Sequence, residues 1–507
     1  MVNHGTWETL TVPERLVSRV STNNQKMRGC GNGSKGVGLT HSSEEAGNDR
    51  GAKGLALIHS GEGTHRPITE LEGPVETQLH RISEIARKDK VCKLKNLAHL
   101  LDLNNLRACF YLLKKGRASG VDGMSLDKYE ENLESNLMAL VKKLKTQAYK
   151  PKPVRRVYIP KANGKLRPLG IPSVEDKIVQ MGITRVLTAI WEEDFLECSY
   201  GFRPKLGCHD ALEKLRETIM TKRVHHIIDA DIKGFFDNVD HKWMEKCLKV
   251  RIADTRLLKL IMRFLKGGVM EEGKLSETDK GTPQGGILSP VLANIYLHYI
   301  IDRWIETEVK KKAKGFVEMV RYADDFVICT NYGNEAKAIL DSLKKRLKIY
   351  GLELAEDKTR IIEFGRFARI DADNAGRKVE SFKFLGFLHY CSESAKGKFK
   401  LGRVTDSKKM TVKVAEMKSW LYEMAHKDEI KVWWPTFCAK LRGHFQYYGI
   451  SGNCKGIGKF YKIVTYLLFK ILNKRSQKRS CNWKEFGEYM KRHHCPKPKI
   501  YHSTLAA

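Results

Sequence analysis

The chain carries two adjacent carboxylates, Asp324 and Asp325, between two short apolar runs. The runs, residues 316–320 and 326–328, are rich in β-branched and aromatic residues and predict two strands. Two strands joined by so short an acidic segment predict a β-hairpin, because Asp tolerates the backbone conformations of tight turns. Such a hairpin would hold both carboxylates on a stiff backbone, in a form that suits hard divalent cations. A solvated acidic turn is the alternative interpretation of this segment taken alone.

A third carboxylate is expected on a strand far upstream. In residues 227–232, apolar residues alternate with Asp229 and Asp231, so both acids face one side of the strand. Acidic side chains on an otherwise apolar strand are costly unless they meet cations. Carboxylates from two strands could bind a pair of Mg²⁺ ions, which activate an attacking oxygen and stabilise a leaving oxygen in phosphoryl transfer. Buried salt bridges are the alternative for Asp229 and Asp231.

A glycine-rich segment, residues 281–288, lies between the two acidic segments. It leads into Ser289 and Pro290, which favour the start of a helix as its N-cap and its first helical residue. Apolar residues then recur at helical spacing to about Trp304. The glycines would let a ligand approach the backbone closely. An ordinary helix start is the alternative.

A basic hairpin is predicted upstream, because Asn163 and Gly164 form a strong signal for a two-residue turn between strands. Lys161, Lys165 and Arg167 cluster near its tip. Such a hairpin could close over a triphosphate, whereas a solvated hairpin without a ligand is the alternative.

The charge of the chain points to a polyanionic partner. The formal net charge is +32, from 91 Lys and Arg residues against 59 Asp and Glu residues, and long nucleic acid fits this excess best. No apolar run is long enough to span a bilayer, so we expect no membrane partner. The 12 cysteines include no C-x-x-C pair, and the N-terminus lacks the apolar core of a signal peptide. We therefore expect a cytoplasmic protein, with association to the nucleoid left open.

The order of these segments closely resembles that of the reverse transcriptases encoded by bacterial group II introns. The resemblance runs from about residue 80 to the end of the chain. It implies an α+β fold with a right-hand polymerase architecture: fingers, a palm with an antiparallel sheet, and a helical thumb called domain X. Further matching blocks are Gly120–Met124, Arg156–Pro172, Ser199–Pro204, Leu354–Ile361, Phe382–Phe387, Arg442–Ile450 and Leu472–Ser480.

Three regions are expected on this basis. Residues 1–75 are rich in Gly, Ser, Asn and Thr and predict a mostly disordered extension. The resemblance places the fingers and palm at residues 76–400 and the thumb with domain X at residues 401–507.

The resemblance also implies roles for single residues at the catalytic centre. Asp231, Asp324 and Asp325 match the family's catalytic aspartates, which hold two Mg²⁺ ions. Phe236 falls where the family places an aromatic ring beneath the sugar, so that a ribose 2′-hydroxyl would clash and deoxynucleotides are selected. Gln284 is expected to contact the incoming nucleotide.

Further roles concern the triphosphate and the growing strand. The family places triphosphate contacts in the fingers hairpin, at Lys161 and Arg167. Lys358 could protonate the pyrophosphate leaving group, or it could form a surface ion pair. The segment resembling the primer grip, which holds the 3′ end, comprises Phe384, Leu385 and Gly386.

RNA contacts are expected in two places. Arg203 matches a position near the template backbone. Toward the C-terminus, aromatic residues are interleaved with basic ones, a mixture that can bind RNA, although most of these aromatics are expected in the core. The basic candidates there for intron RNA contacts are Arg442, Lys474, Arg475, Lys478 and Arg479.

The resulting hypothesis is an RNA-directed DNA polymerase that also promotes splicing of its own intron and supports intron mobility. Its partners would be group II intron RNA, an RNA template with a DNA primer, deoxynucleoside triphosphates and a DNA target, with a homodimer left open. Two alternatives remain: a free-standing reverse transcriptase of a retron or defence system, and a non-catalytic RNA-binding splicing factor. His493, His494 and Cys495 lack the spaced partners of a nuclease metal site, so no endonuclease activity is expected.

Overall fold

The computed structural model describes residues 69–160, 166–271, 274–276, 280–282, 285–474 and 481–503. The predicted N-terminal extension therefore lies almost entirely outside the described residues. The site residues that also lie outside them are Lys161, Gln284, Arg475, Lys478 and Arg479.

Helices dominate the first part of the described chain and surround one hairpin. The elements are α1 (Thr69–Lys88), a 3₁₀ turn (Ala98–Leu100), α2 (Leu103–Leu112), α3 (Leu126–Glu130), α4 (Leu133–Lys145), β1 (Val154–Pro160), β2 (Leu166–Ile171), α5 (Val174–Trp191) and α6 (Cys208–Thr221).

The middle of the chain supplies the central strands. Its elements are β3 (His226–Asp231), α7 (Phe235–Asn238), α8 (His241–Lys249), α9 (Thr255–Leu265), β4 (Val269–Glu271), β5 (Lys274–Ser276), α10 (Ser289–Leu297), α11 (Lys310–Lys312), β6 (Val317–Tyr322), β7 (Asp325–Thr330), α12 (Gly333–Ile349), β8 (Arg360–Glu363) and α13 (Arg366–Asn374).

A small sheet and four helices complete the chain. They are β9 (Phe382–Phe384), β10 (Phe387–Glu393), β11 (Phe399–Thr405), α14 (Ser407–Lys427), α15 (Ile430–Tyr448), α16 (Cys454–Asn473) and α17 (Trp483–Arg492). The predicted boundary at residue 401 falls inside β11 and stays a prediction. In the described part of the chain, no helix is both long enough and apolar enough to cross a membrane.

The described strands form three sheets. A central sheet has the order β6-β7-β3-β8 with antiparallel neighbours, a second has the order β2-β1-β4-β5, and a third has the order β11-β10-β9. The central sheet is packed on both faces. Ile228 and Ala230 join a core formed with the N-terminal helices, whereas Ile227 and Val327 join a core formed with the C-terminal helices. Asp229 and Asp231 share the second face, as the alternation along the strand predicted.

The predicted acidic hairpin is confirmed. Strands β6 and β7 pair in register from Val317 with Thr330 to Tyr322 with Asp325, which leaves Ala323 and Asp324 as a two-residue turn. The left-handed residue is Ala323, with φ of +58°, and not an aspartate as the turn argument assumed. This region normally belongs to glycine, so the turn needs support from its surroundings.

The predicted start of the helix at residue 289 is partly wrong. The helix begins at Ser289, but its N-cap is Leu288, and no side chain caps it. Leu288 already has helical dihedral angles, and its N–H donates to Gln180 Oε1 at 3.4 Å. Because Ser289 is itself helical, its hydroxyl is not in the position of a cap. Beyond Leu297 the helix continues through two π-helical segments, His298–Asp302 and Ile305–Val309.

A buried arginine ties the acidic hairpin to this helix. Arg321, in β6, and Asp302, in the first π-helical segment, are both fully buried, and Arg321 Nε donates to Asp302 Oδ1 at 2.7 Å while Nη2 donates to Oδ2. The remaining donors reach Ser199 Oγ at 2.7 Å, Asn294 Oδ1 at 3.2 Å and the Ala323 carbonyl at 3.0 Å. The guanidinium therefore holds the left-handed residue of the turn directly.

A glycine supports the same turn from the other side. Residues 198–200 run beside β6, where the Tyr200 N–H donates to the Arg321 carbonyl at 2.9 Å. Asn294 Nδ2 then donates to the Gly201 carbonyl at 2.6 Å. A Cβ at Gly201 would lie 2.4 Å from the Ala323 nitrogen, so only glycine lets the two backbones approach this closely.

We expect Asp302→Asn to lower the thermal unfolding midpoint by several degrees. The change leaves Arg321 as a buried charge without its counter-ion, which costs about 3–5 kcal/mol. The same substitution at exposed Asp341 should change stability by less than about 0.5 kcal/mol. Calorimetry of both variants checks the prediction, and equal midpoints would show that the ion pair does not hold the core.

We expect Gly201→Ala to loosen the acidic turn, since the new methyl group has no space beside the Ala323 nitrogen. Hydrogen exchange at residues 322–325 should become faster, and the unfolding midpoint should fall. The matched control is Gly458→Ala in α16, where a Cβ meets nothing within 4 Å and a gain of about 0.5–1 kcal/mol is expected. Unchanged exchange in Gly201→Ala would contradict the argument.

Candidate functional site

The carboxylates of two strands meet at one end of the central sheet. Asp231, the last residue of β3, is paired directly with Asp325, the first residue of β7, and Asp324 precedes it in the turn. Cross-strand partners point their side chains to the same face, so Asp231 and Asp325 are neighbours there. Asp229 lies on this face too, but it is paired with Val327. The register thus places Asp231, and not Asp229, beside Asp325. Asp231 is also the acid that the sequence resemblance favours.

Burial, together with repulsion between neighbouring carboxylates, raises the pKa values of three acids on this face. Burial, followed by the charges of Asp229, Asp324 and Asp231, raises the pKa of Asp325 to about 7. Burial and the Asp231 charge also raise the pKa of Asp324. Burial raises the pKa of Asp229 to about 6, with Arg360 opposing the shift. Carboxylates this crowded favour any cation that enters among them.

Two exposed basic side chains already lie at this face. Lys358 Nζ forms an ion pair with Asp231, and Arg360 Nε lies 3.7 Å from Asp229 Oδ2. Both acids of β3 thus have basic partners, but these partners are exposed, whereas the alternative drawn from the sequence was a buried salt bridge. Since Lys358 is 62% and Arg360 46% exposed, these are solvent-screened pairs that can be exchanged at small cost. Arg167, from β2, is close enough that its charge lowers the pKa of Asp324.

The donor set of this face suits a hard divalent cation, because carboxylate oxygens are the ligands such ions prefer. As the side chains stand, no group of three His, Cys, Asp or Glu residues in the described ranges converges closely enough to hold a metal ion. The Asp231 carboxylate forms an ion pair with Lys358 instead. Binding of a cation by Asp231 and Asp324 together would replace that ion pair.

Phe236 lies just beyond β3 and is held by the glycine-rich loop. The Thr282 N–H donates to the Phe236 carbonyl at 2.7 Å, and Gly281, with φ of +88°, packs so closely that its Cβ would lie 2.9 Å from the same oxygen. A Cβ at Gly285 would lie 2.8 Å from the Gly170 carbonyl in β2. The described ends of this loop therefore connect Phe236 to the basic hairpin.

The segment 384–386 forms a tight turn against the acidic face. Phe384 pairs with Phe387, and the two residues between them, Leu385 and Gly386, have φ of +49° and +81°. Positive φ at both positions is typical of a type I′ hairpin turn. The Leu385 backbone N–H lies close enough to Asp325 to oppose the rise in the pKa of that carboxyl. The Leu385 carbonyl accepts from Tyr447 Oη at 2.8 Å.

A cavity of about 750 Å³ opens beside this turn. Helices α14 and α15 form its other wall, and Asp325 lies at its edge. Sequence reasoning missed Lys383, Lys409 and Lys413 here, although Lys409 and Lys413 share one face of α14 by their spacing of four residues. The basic residues that line the cavity are Lys383, Lys409, Lys413 and Lys440.

The remaining predicted residues lie apart from the acidic face. The Arg203 guanidinium is 11% exposed, with Nε 3.1 Å from Glu192 Oε2 and Nη1 donating to the Leu196 and Ser199 carbonyls. Its contacts in the structure are thus structural, and the template contact stays a prediction. Arg442 on α15 and Lys474 after α16 are exposed.

Most of the C-terminal aromatics are core residues, as predicted. Tyr447 is partly buried between the turn at 384–386 and Tyr448. The fully or largely buried rings are Trp433, Trp434, Phe437, Phe445 and Tyr448.

Known proteins are similar in sequence to the part of the chain that carries this site. Residues 159–389 match the family model described as reverse transcriptase (RNA-dependent DNA polymerase). The chain is 28% identical over 444 residues to the group II intron-encoded protein LtrA of Lactococcus lactis, covering 71% of each chain. It is 34% identical over 285 residues to protein YkfC of Escherichia coli, covering 49% of this chain and 73% of the relative. It is also 30% identical over 285 residues to the putative COX1/OXI3 intron 2 protein of Saccharomyces cerevisiae, covering 55% and 30% of the two chains.

These matches confirm the fold class and the enzyme class predicted from the sequence. The matched residues include β2 to β9, the acidic face and the turn at 384–386. Enzymes of this class generally use divalent metal ions, in agreement with the carboxylates gathered there. The chain belongs to the reverse transcriptase family of RNA-directed DNA polymerases, and it is similar to a member that is encoded by a group II intron.

Proposed function

We propose that the acidic face is a two-Mg²⁺ centre for nucleotidyl transfer, with Asp231, Asp324 and Asp325 as its ligands. The observation that carries the proposal is the register that pairs Asp231 with Asp325 beside Asp324. The raised pKa values of Asp324 and Asp325 support it, because a cation among these carboxylates would relieve their repulsion. When bound, such ions activate the attacking oxygen and stabilise the leaving one.

The surrounding residues would position the substrates. Phe236, fixed by its carbonyl bond to the loop at 282, would pack beneath the sugar and exclude a 2′-hydroxyl. Arg167 would bind the triphosphate, since its charge already acts on Asp324. Lys358, which reaches Asp231, would donate a proton to the departing pyrophosphate. Lys161 and Gln284 remain candidates for nucleotide contacts from the sequence alone.

The primer would lie in the cavity beside the turn at 384–386. Its lysines could bind the sugar-phosphate backbone without reading sequence. The Leu385 backbone N–H, which lies near Asp325, would keep the 3′ end close to the metal ligands. Arg203 remains the candidate for the template side.

We further propose that the protein binds its own group II intron RNA, promotes splicing of that RNA and supports mobility by reverse transcription at a DNA target. The relative from Lactococcus lactis carries the name group II intron-encoded protein. The net charge of +32 and exposed Arg442 and Lys474 supply the electrostatic attraction that RNA binding requires. The C-terminal run that contains Arg475, Lys478 and Arg479 adds further candidates from the sequence.

Splicing and polymerisation should be separable by one substitution. Asp324→Ala should reduce primer extension on an RNA template by about a hundredfold or more, since it removes a metal ligand. Splicing of a transcript spanning the gene and its flanks, at low Mg²⁺, should still respond to the variant protein. Asp341→Ala, at an exposed position of α12, is the matched control and should retain both activities.

Each outcome decides between functions. No effect of wild-type protein on splicing, with primer extension intact, would favour a free-standing reverse transcriptase. Protein-dependent splicing without any primer extension by the wild-type protein would favour a non-catalytic splicing factor. Full primer extension by Asp324→Ala would overturn the metal-ligand assignment.

Phe236→Ala should relax the choice of sugar. Because the ring would no longer clash with a 2′-hydroxyl, the ratio of ribonucleotide to deoxynucleotide incorporation should rise roughly tenfold or more. Single-nucleotide primer extension measures both rates in one enzyme, so deoxynucleotide incorporation serves as the internal control. An unchanged ratio would remove Phe236 from the sugar site.

A further inference from the structure

A second cavity lies between α14 and α16, with a volume of about 510 Å³. Among the described residues, it shares none of its lining with the cavity beside the acidic face. Its walls combine aromatic rings with lysines and contain no acidic side chain. The lining residues used below are Lys418, Tyr422, Tyr466, Phe469, Lys470 and Lys474.

Two rings are open to solvent here: Tyr466, which lines the cleft, and Trp483, which stacks on the lining residues Tyr466 and Phe469. Tyr466 is 46% and Trp483 is 49% exposed, and their planes are nearly parallel, at 7° with centroids 6.1 Å apart. Trp483 is anchored by stacking on buried Phe469, with ring centroids 3.8 Å apart. Rings this exposed contribute little to the core, whereas their faces are available for stacking.

The tryptophan is held rigidly by its place in the chain. It is the first residue of α17, where the Asn482 side chain accepts from the Lys484 and Glu485 N–H groups. The Glu485 carboxylate accepts from the Asn482 N–H at 2.8 Å, which completes a capping box. A preformed ring loses little entropy on binding a ligand.

The electrostatic surroundings favour an anion. Lys470 Nζ lies 4.7 Å from the Tyr466 ring centroid, and Lys418 and Lys474 are exposed at the same cleft. Between Glu429 and Glu485 the sequence contains twelve Lys and Arg residues and no Asp or Glu. Helices α15 and α16 lie wholly within this stretch, so no carboxylate on them neutralises the lysines.

We propose that this cleft binds an unpaired nucleotide of an RNA strand. The base stacks on the Tyr466–Trp483 pair, and the adjacent phosphates contact Lys418, Lys470 and Lys474. A duplex hides its base faces, so the combination of open rings and lysines selects a single strand. The hydroxyl of Tyr422 is a partner for a ribose 2′-hydroxyl. The inference rests on the proposed binding of intron RNA and assigns one of its contact sites.

The test uses the full chain with its polymerase cleft filled by an excess of unlabelled template–primer duplex. Binding of a short fluorescein-labelled oligoadenylate RNA is then measured by anisotropy. Tyr466→Leu and Trp483→Leu should each weaken this binding roughly tenfold, whereas Tyr466→Phe should retain it. Tyr332→Leu, at a residue that is 48% exposed far along the chain, is the matched aromatic control and should have no effect.

The role of the lysines is tested by measuring how RNA binding depends on salt concentration. Lys470→Gln should weaken binding and reduce its dependence on salt concentration, because one phosphate contact is lost. Lys462→Gln, at an exposed position of the same helix outside the cleft, is the charge-matched control. Equal effects of the two variants would mean a diffuse basic surface and would overturn the site.

Other outcomes are equally decisive. Unchanged oligoadenylate binding by Tyr466→Leu would overturn the proposal, as would equal competition by a blunt RNA duplex or by oligodeoxyadenylate. Tyr466 is half exposed, so this variant remains informative even if Trp483→Leu does not fold. Primer extension should be unaffected by Tyr466→Leu. If the wild-type protein fails to promote splicing, the proposed function falls, while selective oligoadenylate binding would still establish the cleft.

Discussion

The position of the acidic hairpin depends on the ion pair between Arg321 and Asp302. This ion pair is fully buried and joins the acidic hairpin to the long helix beneath it. A single guanidinium neutralises Asp302, bonds Ser199 and Asn294, and supports the carbonyl of left-handed Ala323. The strained turn that carries Asp324 is therefore stabilised by buried contacts of the core. These contacts keep the carboxylates close together despite their mutual repulsion.

The site combines a rigid backbone with side-chain ion pairs that can be exchanged. The backbone positions of Asp231 and Asp325 are fixed by strand register. Their cationic neighbours, Lys358 and Arg360, are long, exposed side chains whose pairs are weak in water. The proposed metal centre would benefit from this arrangement, because its carboxylates would stay in place while ions, nucleotide and pyrophosphate enter and leave.

Local patterns were sufficient to predict the strands, the acidic hairpin and the face shared by Asp229 and Asp231, since each depends on alternation over a few residues. The resemblance was needed to choose Asp231, because only pairing with β7 separates it from Asp229. Long-range contacts could not be predicted. Arg321 has no local signature of burial, the lysines of α14 look like a solvated face, and Leu288 takes the cap position expected for Ser289.

The turn at Leu385 and Gly386 has a mechanical consequence. The Leu385 amide lies near Asp325, and the Leu385 carbonyl accepts a hydrogen bond from Tyr447, so the turn connects a carboxylate of the acidic face to α15. A shift of that helix, such as one caused by RNA held on the C-terminal helices, would be transmitted to the carboxylate through a path of only a few atoms. Binding of RNA to the C-terminal helices would then also change the rate of DNA synthesis.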